Sequence, residues 1–229
     1  MAKYDLPAAF EYIKRVTDQK IHYVGHSQGT LIMFLALSLK LPTVTTNLLS
    51  FHALGPVAYL THVQSKVMKV LAKDDLATIL MVLFTLYKKN HIKEVLLEGN
   101  DGLRSNSLIC RYAPVVCAEL LLAISDSNLT VNNMKRMPVI MGHFPAGSST
   151  KNFVHFSQFI KKEHLCAYDY GEKKNMVVYG QKTPPAYELG NINIPVHLYV
   201  GKYDKLATVA DAKILFDRLT NSSGKVFIL

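Results

Sequence analysis

A serine between two glycines is the first feature of this sequence that could carry chemistry. Gly25, Ser27 and Gly29 have the Gly-x-Ser-x-Gly spacing. Glycine lacks a Cβ, so a strand and a helix can approach closely at a sharp, strained turn that exposes the serine hydroxyl. Such a serine attacks ester carbonyls when a nearby base removes its proton. A serine that merely caps the following helix is the simpler alternative.

The residues around Ser27 favour the catalytic interpretation. Ile21, Tyr23 and Val24 form a short run of β-forming residues before the glycine. Residues 30–39 are almost all apolar and predict a helix buried against a sheet. A strand, a sharp turn and a helix are the context that this motif needs. We therefore predict that Ser27 is a nucleophile at the carboxyl end of a strand.

The length and composition fit either one globular domain of ordinary size or a core carrying a large insertion. The 229 residues are 49% hydrophobic and 19% charged, with a net charge of +9. The positive charge is compatible with anionic lipid surfaces or with solubility alone. No basic cluster with interleaved aromatic residues occurs, so nucleic-acid binding is not expected. The apolar runs at 30–39 and 76–87 are shorter than the roughly 20 residues of a membrane span, and no signal peptide is expected at the start.

Cysteine pairing and glycosylation are left open by the sequence. The three cysteines allow at most one internal disulfide. Cys110 and Cys117 are the nearest in sequence, while three buried thiols, including Cys166, are the alternative. Asn128 and Asn221 begin Asn-x-Ser/Thr sequons, which are glycosylated only if the chain enters the secretory route.

The order of patterns predicts a core interrupted by a helical cap. Residues 5–19 predict an amphipathic helix with Asp5 as its cap and an apolar stripe made of Leu6, Ala9, Phe10, Ile13 and Val16. Residues 48–54 predict a strand. We expect the first part of the core at residues 1–57, a cap at 58–184 without strands, and the second part of the core at 185–229. Within the cap, residues 76–86 and 115–124 are the clearest helical stretches.

An aspartate after the last long strand is the candidate acid. Residues 194–200 predict a strand, and Asp204 follows in a loop at its carboxyl end, where the catalytic groups of α/β sheets collect. An ordinary turn-forming role is the alternative. The helix predicted at 211–219 should place Asp211 and Asp217 on its solvated face. Another strand is expected to begin at residue 225.

The motifs of this chain follow one another as they do in the acid lipases. In chain order they are MAKYDLPA, YVGHSQGT, ALGPVA, FPAGSSTKNFVHFSQ, AYDYG, PPAYELGNINIPV and YDKLA. Over essentially its whole length the sequence therefore resembles the acid lipase family, the group of α/β-hydrolases that contains gastric and lysosomal acid lipases. The resemblance implies an α/β-hydrolase core with a partial parallel sheet and a large helical cap.

The resemblance also implies an activity and its residues. It implies hydrolysis of lipid carboxylic esters, triacylglycerol or cholesteryl ester, through an acyl-enzyme and without metal or organic cofactor. Ser27 matches the nucleophile of the family and Asp204 its acid, and the Gln28 backbone N–H would be one donor of the oxyanion hole. The implied partners are a lipid ester and a lipid–water interface. The implied location of the complete protein is secreted or lysosomal.

The histidine base is the main departure from the family. In α/β-hydrolases it follows the acid, but the histidines of this chain all precede Asp204: His22, His26, His52, His62, His91, His143, His155, His164 and His197. We expect the base to lie beyond Leu229, and the chain to be an internal, inactive piece of a longer enzyme. The alternatives are another α/β-hydrolase, such as a carboxylesterase or thioesterase, and a truncated lipid-binding product without turnover.

Overall fold

The fold is described from a computed structural model that covers residues 1–72, 94–95, 112, 133–141, 143, 148–162 and 164–228. These residues form two compact units. One comprises Met1–Val63 and Lys162–Leu229, and the other is Gln64–Lys161. The second unit is shorter at both ends than the cap expected at 58–184. The helices predicted at 76–86 and 115–124 lie outside the described residues, as do Cys110, Cys117 and Asn128.

Helices and strands are interspersed along the described parts of both units. The helices are α1 (Asp5–Thr17), α2 (Gln28–Ser38), α3 (Pro42–Asn47), α4 (Lys66–Ala72), α5 (Met137–Met141), α6 (Thr150–Lys161), α7 (Glu172–Tyr179) and α8 (Val209–Arg218). The strands are β1 (Ile21–His26), β2 (Leu48–Leu54), β3 (Glu94–Val95), β4 (Ser148–Ser149), β5 (Val196–Tyr199) and β6 (Lys225–Ile228). Short 3₁₀ helices occupy Met134–Arg136 and Leu189–Asn191.

A four-stranded parallel sheet is the centre of the first unit. Its strand order is β1-β2-β5-β6. Gly25 lies opposite Ala53, and Ala53 lies opposite Leu198. Parallel strands need crossover connections, which here carry helices, as expected for an α/β fold. The predicted α/β core with a partial parallel sheet is thus confirmed.

Aromatic side chains form the core on one face of the sheet. The Phe51 ring on β2 lies 4.8 Å from that of Phe34 on α2 and 5.6 Å from that of Tyr23 on β1. The Phe10 ring on α1 lies 6.4 Å from that of Tyr23. Phe34 and Phe51 are fully buried. This cluster fixes α1 and α2 on the strand that leads into Ser27.

The first helix differs in detail from its prediction. Tyr4, not Asp5, is its N-cap residue, and Asp5 is the first helical residue, 3.4 Å from the N-terminal amine. Only Leu6 and Phe10 of the predicted stripe are buried, while Val16 is 63% exposed. The predicted helical period is correct, but Ala9, Ile13 and Val16 of the stripe are exposed.

Two elements were not predicted. The helix α3 occupies residues where the sequence suggested only a break at Pro42. Proline is compatible with a first helical turn, and the Asn47 side-chain amide donates to the Thr43 carbonyl at 2.8 Å. In the second unit, β3 and β4 form a two-residue antiparallel pair, whereas no strand was expected at 58–184.

A chain of polar side chains crosses the other face of the sheet. The Ser50 hydroxyl lies 2.7 Å from His22 Nδ1 and 3.0 Å from His52 Nε2. His52 Nδ1 lies 3.1 Å from the Tyr199 hydroxyl, and the rings of His52 and His197 stack at 4.6 Å. Burial lowers the pKa of His52, and the neighbouring His197 and His22 lower it further.

Replacing His52 with glutamine should weaken the pH dependence of stability. The pKa of His52 is lower in the folded state than its ordinary value of 6.5 in the unfolded chain. The free energy of unfolding therefore has its full value above pH 6.5 and decreases as the pH falls through the lower folded-state pKa. Urea unfolding between pH 8 and pH 5 measures this loss. At pH 8 the His52 imidazole is neutral in both the folded and the unfolded state. Any difference in the free energy of unfolding between parent and variant at this pH therefore reports packing alone. Equal pH slopes in parent and variant would exclude a role for His52.

Asp211 is buried, contrary to the prediction of a solvated position. It is 1% exposed, and its carboxylate accepts from the His62 backbone N–H at 3.0 Å and from the Thr61 hydroxyl at 3.0 Å. The His62 ring nitrogen lies 2.8 Å away. Thr208, the N-cap of α8, donates to the carboxylate and accepts from the Asp211 N–H, each at 3.2 Å. Asp211 borders the apolar stripe of α8, one turn before Leu215, but its partners at 61 and 62 are about 150 residues away in sequence and could not be read from the helix.

Asp211→Ala should lower the free energy of unfolding by about 3 kcal/mol. The change leaves the His62 N–H and the Thr61 hydroxyl without their buried acceptor. Asp217→Ala on the exposed side of the same helix should change stability by less than about 0.5 kcal/mol. Chemical denaturation of both variants measures the difference, and similar losses would contradict the burial of Asp211.

Candidate active site

Ser27 sits on a strained turn between β1 and α2. Its backbone has φ 50° and ψ −115°, a conformation that a non-glycine residue rarely adopts. The Ser27 N–H donates to the Leu54 carbonyl at 3.0 Å, so the turn is tied to the end of β2. Strain of this kind costs about 1–3 kcal/mol and concentrates at functional sites. It matches the predicted turn that presents a serine at the edge of a sheet.

Thr30 braces the same turn from within α2. Its hydroxyl donates to the Ser27 carbonyl at 2.6 Å and accepts from the Val57 N–H at 2.8 Å. Thr30 is fully buried. One hydroxyl therefore connects the serine turn to the segment that follows β2. The sequence analysis missed this role, although a hydroxyl three residues after the serine in an otherwise apolar helix was a visible signal.

The two glycines of the motif differ in how much space surrounds them. A Cβ on Gly25 would lie 2.8 Å from the Tyr23 ring and 2.9 Å from the Gly29 carbonyl carbon, closer than real contacts allow. A Cβ on Gly29 would meet only the Tyr23 hydroxyl, at an ordinary 3.6 Å. The close approach of strand and helix therefore requires glycine at position 25 alone, whereas the sequence suggested that both were needed.

Gly25→Ala should destabilise the protein by about 1–3 kcal/mol and displace Ser27, because the new methyl group meets the α2 backbone. Gly29→Ala is the matched control. It should leave stability unchanged or slightly raised, since alanine favours a helix. Thermal unfolding of the two variants tests this, and equal losses would show that glycine is required at both positions.

Asp204 lies in the loop after β5. One carboxylate oxygen, Oδ1, accepts from the Leu206 N–H at 2.8 Å and from the Ala207 N–H at 2.9 Å. Among the described residues no donor is bonded to the other oxygen, Oδ2. The backbone thus holds the carboxylate in one orientation and leaves an oxygen available to a further donor.

Gly55, at the end of β2, brings these loops to one edge of the sheet. Its N–H donates to the Tyr199 carbonyl at 2.9 Å, and its φ is +54°. From the position of a Cβ on Gly55, Asp204 Oδ2 would be 3.5 Å away and His26 Nε2 3.8 Å away. The carboxylate and the residue before Ser27 therefore meet around this glycine. Carboxyl ends of parallel strands share an edge, but the sequence could not show that Gly55 separates them.

The described histidines do not form the base of a triad with Ser27. None of them makes a hydrogen bond with the Ser27 hydroxyl among the residues that the structure covers. The His26 ring lies beside Gly55, the His62 ring contacts Asp211, and the His155 ring lies 4.2 Å from that of Phe159. His91 is outside the described residues.

Gln28 is the first residue of α2. At that position no preceding helical turn supplies a carbonyl for its backbone N–H. That this N–H donates to an atom bound beside Ser27 stays a prediction.

The remaining candidate residues lie away from the serine. Cys166 is buried, and burial raises the pKa of its thiol. Asn221 is exposed in the turn between α8 and β6, and the hydroxyl of Ser222, the second residue of its sequon, donates to the Ile194 carbonyl at 2.7 Å. Within the described ranges, no helix has the length and apolar character that a membrane crossing would require.

The known proteins most similar in sequence that we compared are lipases. The gastric triacylglycerol lipase of Rattus norvegicus is 36% identical over 223 residues, which are 96% of this chain and 55% of the relative. The lysosomal acid lipase/cholesteryl ester hydrolase of Homo sapiens is 35% identical over 232 residues, 96% of this chain and 54% of the relative. The chain thus spans about half the length of these relatives. No model of a known protein family matches it.

A solved structure supports the fold. The monoacylglycerol lipase of Paleococcus ferrophilus superposes with a TM-score of 0.53 at 14% sequence identity, covering 97% of this chain and 63% of that one. The parallel sheet, the helical crossovers and the strained serine turn define an α/β-hydrolase fold. Over 96% of its length the chain is similar to the gastric and lysosomal acid lipases. The resemblance noted from the motifs is thereby confirmed.

Proposed function

We propose that the complete protein hydrolyses carboxylic esters of lipids, triacylglycerol or cholesteryl ester, with Ser27 as nucleophile. The strained backbone of Ser27 at the carboxyl edge of a parallel sheet is the observation that carries this proposal. Further support comes from Asp204, whose carboxylate is held by two backbone donors at the same edge.

The proposed mechanism is acyl transfer in two steps. A histidine of the complete protein takes the Ser27 proton as the hydroxyl oxygen attacks the ester carbonyl carbon, and then gives it to the departing alcohol. Asp204 Oδ2 accepts from that histidine and stabilises its charged form. The Gln28 N–H stabilises the oxyanion, a contribution of about 3 kcal/mol for one donor. Water then hydrolyses the acyl-enzyme by the same route.

The location and surface of action are part of the same proposal. We place the complete protein outside the cell or in lysosomes, acting at a lipid–water interface, with Asn221 as a glycosylation site. Support comes from the relatives, since one is named a gastric and one a lysosomal lipase. A disulfide between Cys110 and Cys117 stays a prediction.

A fluorescent phosphonate directed at serine hydrolases tests the proposal on the complete protein. Mass spectrometry should find the label on Ser27, and hydrolysis of an emulsified long-chain ester should disappear in proportion to labelling. Hydrolysis of soluble short-chain esters or thioesters alone would instead favour the carboxylesterase or thioesterase alternative. Lipid binding without labelling or turnover would favour the non-catalytic alternative.

A further inference from the structure

The helix α7 exposes apolar side chains, whereas the solvent-facing side of a surface helix ordinarily carries polar residues. Three consecutive residues, Met176, Val177 and Val178, are 49%, 85% and 47% exposed. Single exposed apolar residues are common and need no explanation. Three in succession on a short helix form a contiguous apolar surface, which in proteins often marks an interaction site.

The opposite side of α7 holds the helix in place through polar contacts. Asn175, 1% exposed, donates to the Asp169 carboxylate and to the Lys182 carbonyl, both at 2.8 Å. Its side-chain oxygen accepts from the Tyr170 N–H at 3.0 Å. The Tyr179 hydroxyl donates to the Tyr168 carbonyl at 2.9 Å, and burial first of all raises the pKa of Tyr179 to about 12. These hydrogen bonds hold the buried side of α7, and the opposite side of the helix faces solvent.

Lysines lie beside the exposed apolar residues. With about 100° between successive helical residues, Lys173 and Val177 lie one turn apart on the side opposite Asn175. Lys174 lies beside Val177 and Val178 on the same wheel, with its ammonium 5.1 Å from the centre of the Tyr170 ring. We call Lys173, Lys174, Met176, Val177 and Val178 the α7 ridge.

We propose that the α7 ridge binds the surface of an anionic lipid layer. Apolar side chains flanked by lysines suit that partner, because the valines enter the boundary between headgroups and acyl chains while the ammonium groups meet lipid phosphates. Long lysine side chains can keep their charge in the headgroup layer as their stems lie along apolar surface. The nearest acid on the helix, Glu172, lies 3.8 Å from the Lys182 ammonium, so its charge is partly offset. The choice of a lipid partner rests on the proposed function.

Vesicle co-sedimentation with the complete protein tests the inference. The Ser27→Ala form is used throughout, so that binding is measured without hydrolysis. Phosphatidylcholine vesicles with and without phosphatidylserine are compared at low and at physiological salt. We expect tighter binding to the vesicles that contain phosphatidylserine, and weakening by salt.

Two changes should weaken that binding selectively. Lys173→Glu combined with Lys174→Glu should reduce affinity for phosphatidylserine vesicles by at least about fivefold for each lysine. Val177→Asp should reduce it by about tenfold or more, since the valine no longer enters the lipid layer. The matched controls are Lys213→Glu on α8 and Val16→Asp on α1, both at exposed helical positions. They should bind nearly as the parent does.

The possible outcomes separate the inference from the proposed function. Parent-like binding by Val177→Asp and the double lysine variant, or an equal loss in the controls, would overturn it. A concentration-dependent dimer that Val177→Asp dissociates, without vesicle binding, would also overturn it and assign the ridge to a second copy. If Val177→Asp fails to fold by circular dichroism, Val177→Ser replaces it. Ridge-dependent vesicle binding by the Ser27→Ala form, together with no ester hydrolysis by the parent with Ser27 intact, would support the surface and refute the proposed function.

Discussion

Replacing Ser27 with alanine in the complete protein should abolish hydrolysis of a long-chain ester, with turnover falling by about 10⁶-fold. The hydroxyl is the only part of this side chain that alanine removes, and it is the proposed attacking group. The turn should persist, because its ties run through the backbone. The Ser27 N–H bonds to the Leu54 carbonyl, and the Ser27 carbonyl accepts from the Thr30 hydroxyl. Initial rates on an emulsified triacylglycerol measure the effect.

Stability and labelling distinguish loss of chemistry from loss of fold. Ser27→Ala should unfold at the same denaturant concentration as the parent and should no longer take up a phosphonate. Ser149→Ala, at an exposed position in β4, is the matched control and should retain both activity and labelling. Normal turnover in Ser27→Ala, or label on a different serine, would exclude the proposed nucleophile.

Replacing Asp204 with asparagine should lower turnover by about 10⁴-fold, as for the corresponding change in a serine protease. Asparagine keeps an oxygen that can accept from the Leu206 and Ala207 N–H groups, so the loop should stay folded. It loses the negative charge that would orient the histidine and stabilise its protonated form. The expected loss lies in the chemical step, and KM should change much less than kcat.

The comparison variant for Asp204 must be chosen from the structure. Asp217→Asn on the exposed side of α8 should leave turnover within about twofold, since surface changes of this kind are usually small. Asp211 is unsuitable, because it is buried and bonded to His62 and Thr61. Equal effects of Asp204→Asn and Asp217→Asn would rule out Asp204 as the acid.

The strands and helices near the serine, and the chemistry they could carry, were predictable from the amino-acid sequence. The strand β2 begins and ends where its β-forming run predicts, and β1 runs directly into the Gly-x-Ser-x-Gly turn. Local preferences decide such elements, because strand formers, glycine and an apolar helix act within a few residues of one another. The resemblance to the acid lipases could also be recognised from the sequence, because the motifs of that family occur in order along the chain.

The burial of individual side chains and the approach of separate loops could not be predicted in this way. Asp211 lies one helical turn before the buried Leu215, but its carboxylate is covered by a segment about 150 residues earlier in the chain. The stripe on α1 has the right period, but only Leu6 and Phe10 are buried, and Val16 is 63% exposed. The approach of Asp204 to Gly55 and the close contact at Gly25 likewise arise between separate segments. Burial and proximity depend on what packs against an element, and no pattern within the element itself contains that information.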